Sequence, residues 1–276
     1  MLKFDIIKTS APFGPDFNTN LLKPKSALFS KFWKNKSLNP IVSRKLNSIA
    51  DDIIESMDFE EGVVKDIIIT GSIASYNWHA LSDIDLHIML DFNMIDDNFS
   101  LVKRMLDQTR INWNKKHNIH IAGKEVELYF QHFEEPHEAN GIWSLSQEKW
   151  LAEPVLLNPE IDIITTEKKA EALAQSIEHL FEIYKRKEYK DVYEYCNKLK
   201  DKIAKMRQSG LASDGIYSPE NLAFKMLRNA GYLTKLSSLK IQSYDKMMSL
   251  KLENKDKVSF NKKWKVFTTG EKHDKI

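Results

Sequence analysis

The sequence predicts an α/β fold, a small mixed β-sheet core followed by an α-helical domain, and three observations carry that expectation. Short apolar runs rich in Ile and Val at residues 63–70, 83–92 and 125–131 have the length and patterning of strands. The stretches between them have turn or helix patterning, as a mixed sheet requires. Beyond residue 160 strand patterning stops, and apolar residues recur at three-to-four spacing. At 276 residues and 42% hydrophobic content, the chain is long and apolar enough for a packed core with an appended domain.

The elements follow in order. Residues 1–37 read as an irregular arm, because Ala11-Pro12-Phe13-Gly14-Pro15 and Lys23-Pro24-Lys25 interrupt any regular pattern. The core domain is expected over residues 38–160. Asn39-Pro40 pairs an N-cap with a first-turn proline and starts a helix to about residue 57. Its spacing buries Val42, Leu46, Ile49, Ile53 and Ile54. The strand at 63–70 ends at Gly71, and a short helix is expected from Ile73 to about His79. The strand at 83–92 precedes a helix at 96–116, with Leu101, Met105, Leu106 and Ile111 turned to the core. Residues 119–121 and 125–131 form a hairpin around Ala122-Gly123. Trp143, Leu145, Trp150 and Leu151 are expected to cover the sheet edge, with Trp143 as packing and not as a base-stacking platform.

The helical domain is expected over residues 161–250. Thr166 caps a helix at 167–187. A second, at 188–208, is broken by Ser209-Gly210. Ser218-Pro219 starts a third, which ends near Gly231, and residues 232–250 make the fourth. Residues 251–276 read as a lysine-rich basic tail.

The chemistry concentrates near the first strands. Glycine at position 71 allows a tight turn and close approach of the backbone to a phosphate, and Ser72 adds a hydroxyl. Twelve residues on, Asp83-Ile84-Asp85 places two carboxylates on one strand face, with Ile84 and Leu86 on the other. Adjacent carboxylates repel unless a cation lies between them, and Mg²⁺ shares oxygen ligands readily with substrate phosphates. An edge strand with solvated aspartates is the plain alternative. The joint pattern favours nucleoside triphosphate chemistry, since each part supplies what the other needs.

These residues resemble the signature of the polymerase-β-like nucleotidyltransferase superfamily: Gly71-Ser72, then Ser82-Asp83-Ile84-Asp85-Leu86. The wider stretches Ser75-Tyr76-Asn77-Trp78, residues 82–92 and residues 141–154 are similar to uncharacterised nucleotidyltransferase-like proteins of large tailed phages. The resemblance covers about residues 40–160. It implies a nucleotidyltransferase core and a third carboxylate on a later strand, for which the chain offers Val126-Glu127-Leu128. Glu125 shares that strand face by period two; Glu127 is preferred for its apolar neighbours. The implied activity is transfer of a nucleoside monophosphate from an NTP to an acceptor hydroxyl, with release of pyrophosphate. Asp83, Asp85 and Glu127 would hold Mg²⁺ or Mn²⁺, and Gly71 and Ser72 would contact the nucleotide. The acceptor is left open among an RNA 3′ end, a protein, a small molecule and a nucleotide. The alternative is an inactive protein of the same fold that binds nucleic acid or a host protein.

Charge divides along the chain. Residues 61–160 carry a net −8 and residues 161–276 a net +8. This suggests metal chemistry in one part and phosphate contact in the other. Lys225 and Arg228, three apart on one helix, are the candidate phosphate ligands, as basic residues of the helical part are in relatives of the family resembled; a solvated helix face is the plain alternative for them. Lys202 and Lys205 are a poorer pair. His87 shares the face of the aspartates and reads as a supporting residue. Cys196 reads as a core residue, and a single cysteine agrees with a reducing compartment. No run approaches transmembrane length and no signal-peptide pattern opens the chain, so the expected location is the cytoplasm, of a host cell if the protein is viral, without membrane partners.

Overall fold

The computed structural model describes residues 17–250, apart from residue 138. The expected tail at 251–276 and the first part of the expected arm lie outside these residues. The fold is mixed α/β, with six α-helices among the described residues. Residues 18–161 form one compact unit, and the described residues from 162 onward, together with Phe17, form another.

The first unit begins with more order than its prolines suggest. Strands β1 (Trp33–Lys34) and β2 (Ser37–Leu38) make a small hairpin, and Phe32 and Trp33 are buried. The expectation of an irregular arm to residue 37 is corrected here, because large aromatics in this segment are absorbed into the core. Helix α1 (Pro40–Met57) starts as expected: the Asn39 side chain accepts from the Ile41 N–H, and Pro40 occupies the first turn.

A six-stranded sheet follows. It comprises β3 (Val64–Thr70), β4 (Ile84–Leu90), β5 (His120–Ile121), β6 (Lys124–His132), β7 (Ile142–Ser144) and β8 (Lys149–Ala152), in the order β5-β6-β4-β3-β7-β8. Only β4 and β6 pair in parallel. Helix α2 (Phe99–Lys116) supplies the crossover that a parallel pair requires. Residues 120–132 form the expected hairpin, with Ala122 and Gly123 both at positive φ in its two-residue turn.

Alternation divides the sheet faces. Ile67, Ile69, Ile84, Leu86, Ile88, Leu90, Val126 and Leu128 join α1 and α2 in the main core. The opposite face carries a small apolar cluster of Ile68, Met89 and Ile142, together with the polar residues of β4 and β6. Helix α2 turns Val102 and Leu106 inward, whereas Leu101 and Met105 are exposed. The expectation therefore holds for Leu106, with Ile111 half-buried, and fails for Leu101 and Met105, whose place Val102 takes. Trp143 is buried against Trp33 and Trp150, with ring centroids 5.5 and 5.2 Å away, so it is packing as expected; Leu151 is exposed.

The second unit holds α3 (Ile163–Lys185), α4 (Tyr189–Ser213), α5 (Pro219–Asn229) and α6 (Tyr232–Met248). Two expectations change. Asp162, not Thr166, caps α3; Thr166 is buried inside the helix and donates to the Asp162 carbonyl at 2.7 Å. Helix α4 also runs through Gly210. A Cβ at Gly210 would lie 2.6 Å from both Ser218 Oγ and Glu220 Cβ, so this glycine marks a close approach and not a break. Ser218 caps α5 as expected. No helix among the described residues is long and apolar enough to cross a membrane.

Candidate metal and phosphate site

Three carboxylates converge on the polar sheet face. Asp85 lies opposite Thr70 of β3 on one side and Glu127 of β6 on the other, and Asp83 directly precedes β4. Ligand atoms of Asp83, Asp85 and Glu127 all lie within 4.8 Å of one another, and all three side chains are half-buried. No Lys, Arg or His forms an ion pair with Asp83 or Glu127 among the described residues. Three acids this close, drawn from two strands, have the electrostatics of a cation site. Glu125 is exposed and pairs with His120 at the hairpin end, so the register assigns Glu127 to the trio.

Gly71 stands at the edge of this group. Its φ of +77° and ψ of −159° belong to a region that residues with a Cβ scarcely visit. A Cβ there would fall 1.8 Å from Asp85 Oδ2. The glycine thus lets the β3 terminus pass against the carboxylate. The expected helix from Ile73 to His79 is not formed. Ser72–Ala74 is a single 3₁₀ turn, and Ser75 is extended. Side chains compete for the backbone here: Ser75 Oγ donates to the Ser72 carbonyl and accepts from the Asn77 N–H. The Ser72 hydroxyl donates to Ser82 Oγ at 2.7 Å, and Ser82 Oγ also accepts from the His79 N–H. Ser72 therefore fastens the loop leading to Asp83. The Trp33 indole N–H pins the same turn through the Ile73 carbonyl at 2.8 Å.

Sequence reasoning overlooked several supporting residues. Lys124 is buried and donates to the carbonyls of His79 and Ala80 at 2.6 and 2.8 Å, which anchors the loop before Asp83. Burial holds its ammonium below the usual pKa, against the pull of Asp83. Tyr129 donates to Glu127 Oε2 at 2.7 Å. Burial first, and then this bond to Glu127, raise the phenol far above its usual pKa. The period of two from Glu127 was the available signal for Tyr129. His87 stacks on Tyr129 and shares a hydrogen bond of 2.9 Å with Gln131. Burial pushes its imidazole down to about 4, so it is neutral near pH 7, in keeping with a supporting role.

In the helical unit, Lys225 and Arg228 share α5, and Arg207 of α4 joins them. The Arg207 guanidinium lies over Phe224, 4.3 Å from the ring centroid, and its Nε donates to Asn221 Oδ1 at 3.2 Å. Burial, then Arg228 and Arg207, push the Lys225 ammonium down to about 8. None of the three cations forms an ion pair among the described residues. Sequence spacing gave no sign of Arg207, because it is brought in across the α4–α5 turn. Cys196 is buried, and burial raises its thiol to about 11, as suits an inert core residue. No protein-family model matches the chain, and no curated protein and no solved structure is significantly similar to it.

Proposed function

We propose that the chain is a metal-dependent nucleotidyltransferase of the polymerase-β-like kind, which moves a nucleoside monophosphate from an NTP to an acceptor hydroxyl and releases pyrophosphate. The observation that supports this most is the convergence of Asp83, Asp85 and Glu127 within 4.8 Å beside the Gly71 turn. The donor set is three carboxylates and oxygen only, which fits Mg²⁺ or Mn²⁺. When bound, such an ion neutralises phosphate charge and makes an acceptor hydroxyl more acidic. The remaining catalysis is positioning. Asp83 and Asp85 orient the nucleotide side of the reaction, and Glu127 the acceptor side. Gly71 brings the backbone N–H groups of the following turn toward the phosphates, with Ser72 as the fastener of that turn. Lys225 and Arg228, joined by Arg207, are assigned to phosphate contact. The acceptor belongs to one of four classes: an RNA 3′ end, a protein, a small molecule or a nucleotide. The proposed setting is the cytoplasm. Incubation with each labelled NTP and Mg²⁺, with and without total RNA and protein, tests the proposal. Label must move to an acceptor; metal and nucleotide binding without transfer would support the non-catalytic alternative.

The two glutamates of β6 give a sharp check. Glu127→Gln is expected to leave nucleotide Kd nearly unchanged and to cut transfer about a hundredfold or more, since an acceptor-side charge is lost. Glu125→Gln is expected to do neither. Single-turnover rates and equilibrium binding of the two variants separate these outcomes, and an inactive Glu125→Gln with a normal Glu127→Gln would reverse the assignment.

The basic trio makes a second check. Lys225→Ala and Arg228→Ala are each expected to raise nucleotide Kd roughly ten- to a hundredfold, the worth of a charge-assisted contact of about 1.5–3 kcal/mol. High salt should narrow the difference. With its pKa lowered to about 8, free Lys225 loses its proton as pH rises through that value, so nucleotide affinity should weaken above it. The same depression means the unfolded chain holds this proton longer, so Lys225 adds to folding stability as pH rises from about 8 toward the ordinary lysine value. Calorimetric titration across that pH window reads the first effect, and chemical denaturation reads the second.

A further inference from the structure

Glu127 does not present two equivalent oxygens. Tyr129, two residues on along the same strand face, donates its phenolic proton to Oε2 at 2.7 Å. The phenol is itself held in place. His87 stacks on its ring with centroids 4.7 Å apart, and the Arg110 guanidinium lies 5.0 Å from the ring centroid. The imidazole that stacks on it is fixed in turn by Gln131. The parallel register sets His87 beside Tyr129 as it sets Asp85 beside Glu127, so this arrangement is built into the strand pairing.

We propose that Tyr129 sets the ion preference of the acidic trio: by occupying Glu127 Oε2 it confines Glu127 to ligation through one oxygen, which favours Mg²⁺ over Ca²⁺. The inference rests on reading Asp83, Asp85 and Glu127 as a metal site. Its chemistry follows from the shapes of the two ions. Mg²⁺ demands a compact octahedron and takes one oxygen from each carboxylate. Ca²⁺ accepts about six to eight oxygens at longer distances and readily takes both oxygens of a carboxylate. A phenol on Oε2 draws charge from that oxygen and orients the carboxylate, so Oε1 alone faces a small ion with its full donor strength. Without the phenol, Glu127 can turn and give both oxygens to the larger ion.

Titration calorimetry of the full, nucleotide-free chain with Mg²⁺ and with Ca²⁺ tests this. Tyr129→Phe keeps the stacked ring and removes the hydroxyl alone. It is expected to shift the ratio of the Mg²⁺ and Ca²⁺ dissociation constants toward Ca²⁺ by about tenfold, the scale of one charge-assisted contact. A purely structural role would weaken both ions alike. In a Glu127→Gln background the same substitution should leave the ratio where it stands. Tyr129→Met, which fills the space without an aromatic ring, is the second variant should the first not fold, and it should shift the ratio the same way. An unchanged ratio in the folded Tyr129 variants overturns the inference and leaves the metal reading intact. A wild-type chain that binds neither ion overturns both.

Discussion

Asp85→Asn is expected to leave the chain folded, remove its Mg²⁺ response and lower nucleotidyl transfer by about three orders of magnitude or more. Asp85 is the centre of the trio, paired with Thr70 on one side and with Glu127 on the other. The substitution is nearly isosteric, so packing in β4 is retained. It removes one of three carboxylates whose ligand atoms lie within 4.8 Å. In the metal-free chain, relief of that repulsion should make the variant as stable as wild type or more so. With millimolar Mg²⁺ the order should reverse, because an ion that binds only the folded wild type raises its melting temperature. Thermal unfolding with and without Mg²⁺, run beside single-turnover transfer, reads both effects. A variant that gains as much thermal stability from Mg²⁺ as wild type would remove Asp85 from the site.

The strands that carry this site were legible because their period is two. Ile84, Leu86, Val126 and Leu128 have to face the core, and alternation alone then places Asp85 and Glu127 on the other face. Asn39-Pro40 marked the start of α1 for an equally local reason. What the sequence concealed was decided by contacts distant along the chain. The segment after Gly71 has the composition of a short helix, yet Ser75, Ser82 and Trp33 take up its backbone groups and leave only one turn. Gly210 resembles a helix breaker, but it is a place where Ser218 and Glu220 come close to an unbroken α4. On α2 Leu106 is buried as expected, but Val102 takes the core-facing side in place of Leu101 and Met105, a choice between neighbouring apolar positions that helix periodicity alone does not settle. Lys124 acts through a pair of carbonyls that no spacing rule announces, and for Tyr129 the period of two gives the shared face with Glu127 but not the bond to a single carboxylate oxygen.

Gly71→Ala should be nearly as damaging to transfer as Asp85→Asn, and for a different reason. Two costs fall on one methyl group. The backbone at φ +77°, ψ −159° is a glycine conformation, and holding an alanine there costs about 1–3 kcal/mol. The new Cβ would also lie 1.8 Å from Asp85 Oδ2 and 2.9 Å from its Cγ, so Asp85 must rotate away or β3 and β4 must part. Overpacking of this kind costs about 1–3 kcal/mol more. Either response moves the carboxylate out of the trio, so Mg²⁺ binding should be lost even where the variant is fully folded. The two costs can be separated. Asp85→Ala deletes the clashing atoms and keeps only its own Cβ, 3.5 Å from the added methyl, an ordinary contact. In that background Gly71→Ala should cost the backbone part alone, giving a favourable coupling of about 1–3 kcal/mol in a double-mutant cycle of urea unfolding. Additive costs would mean that the carboxylate moves aside freely. Gly71 would then be needed for its backbone conformation alone, and the close approach to Asp85 would carry no part of the effect.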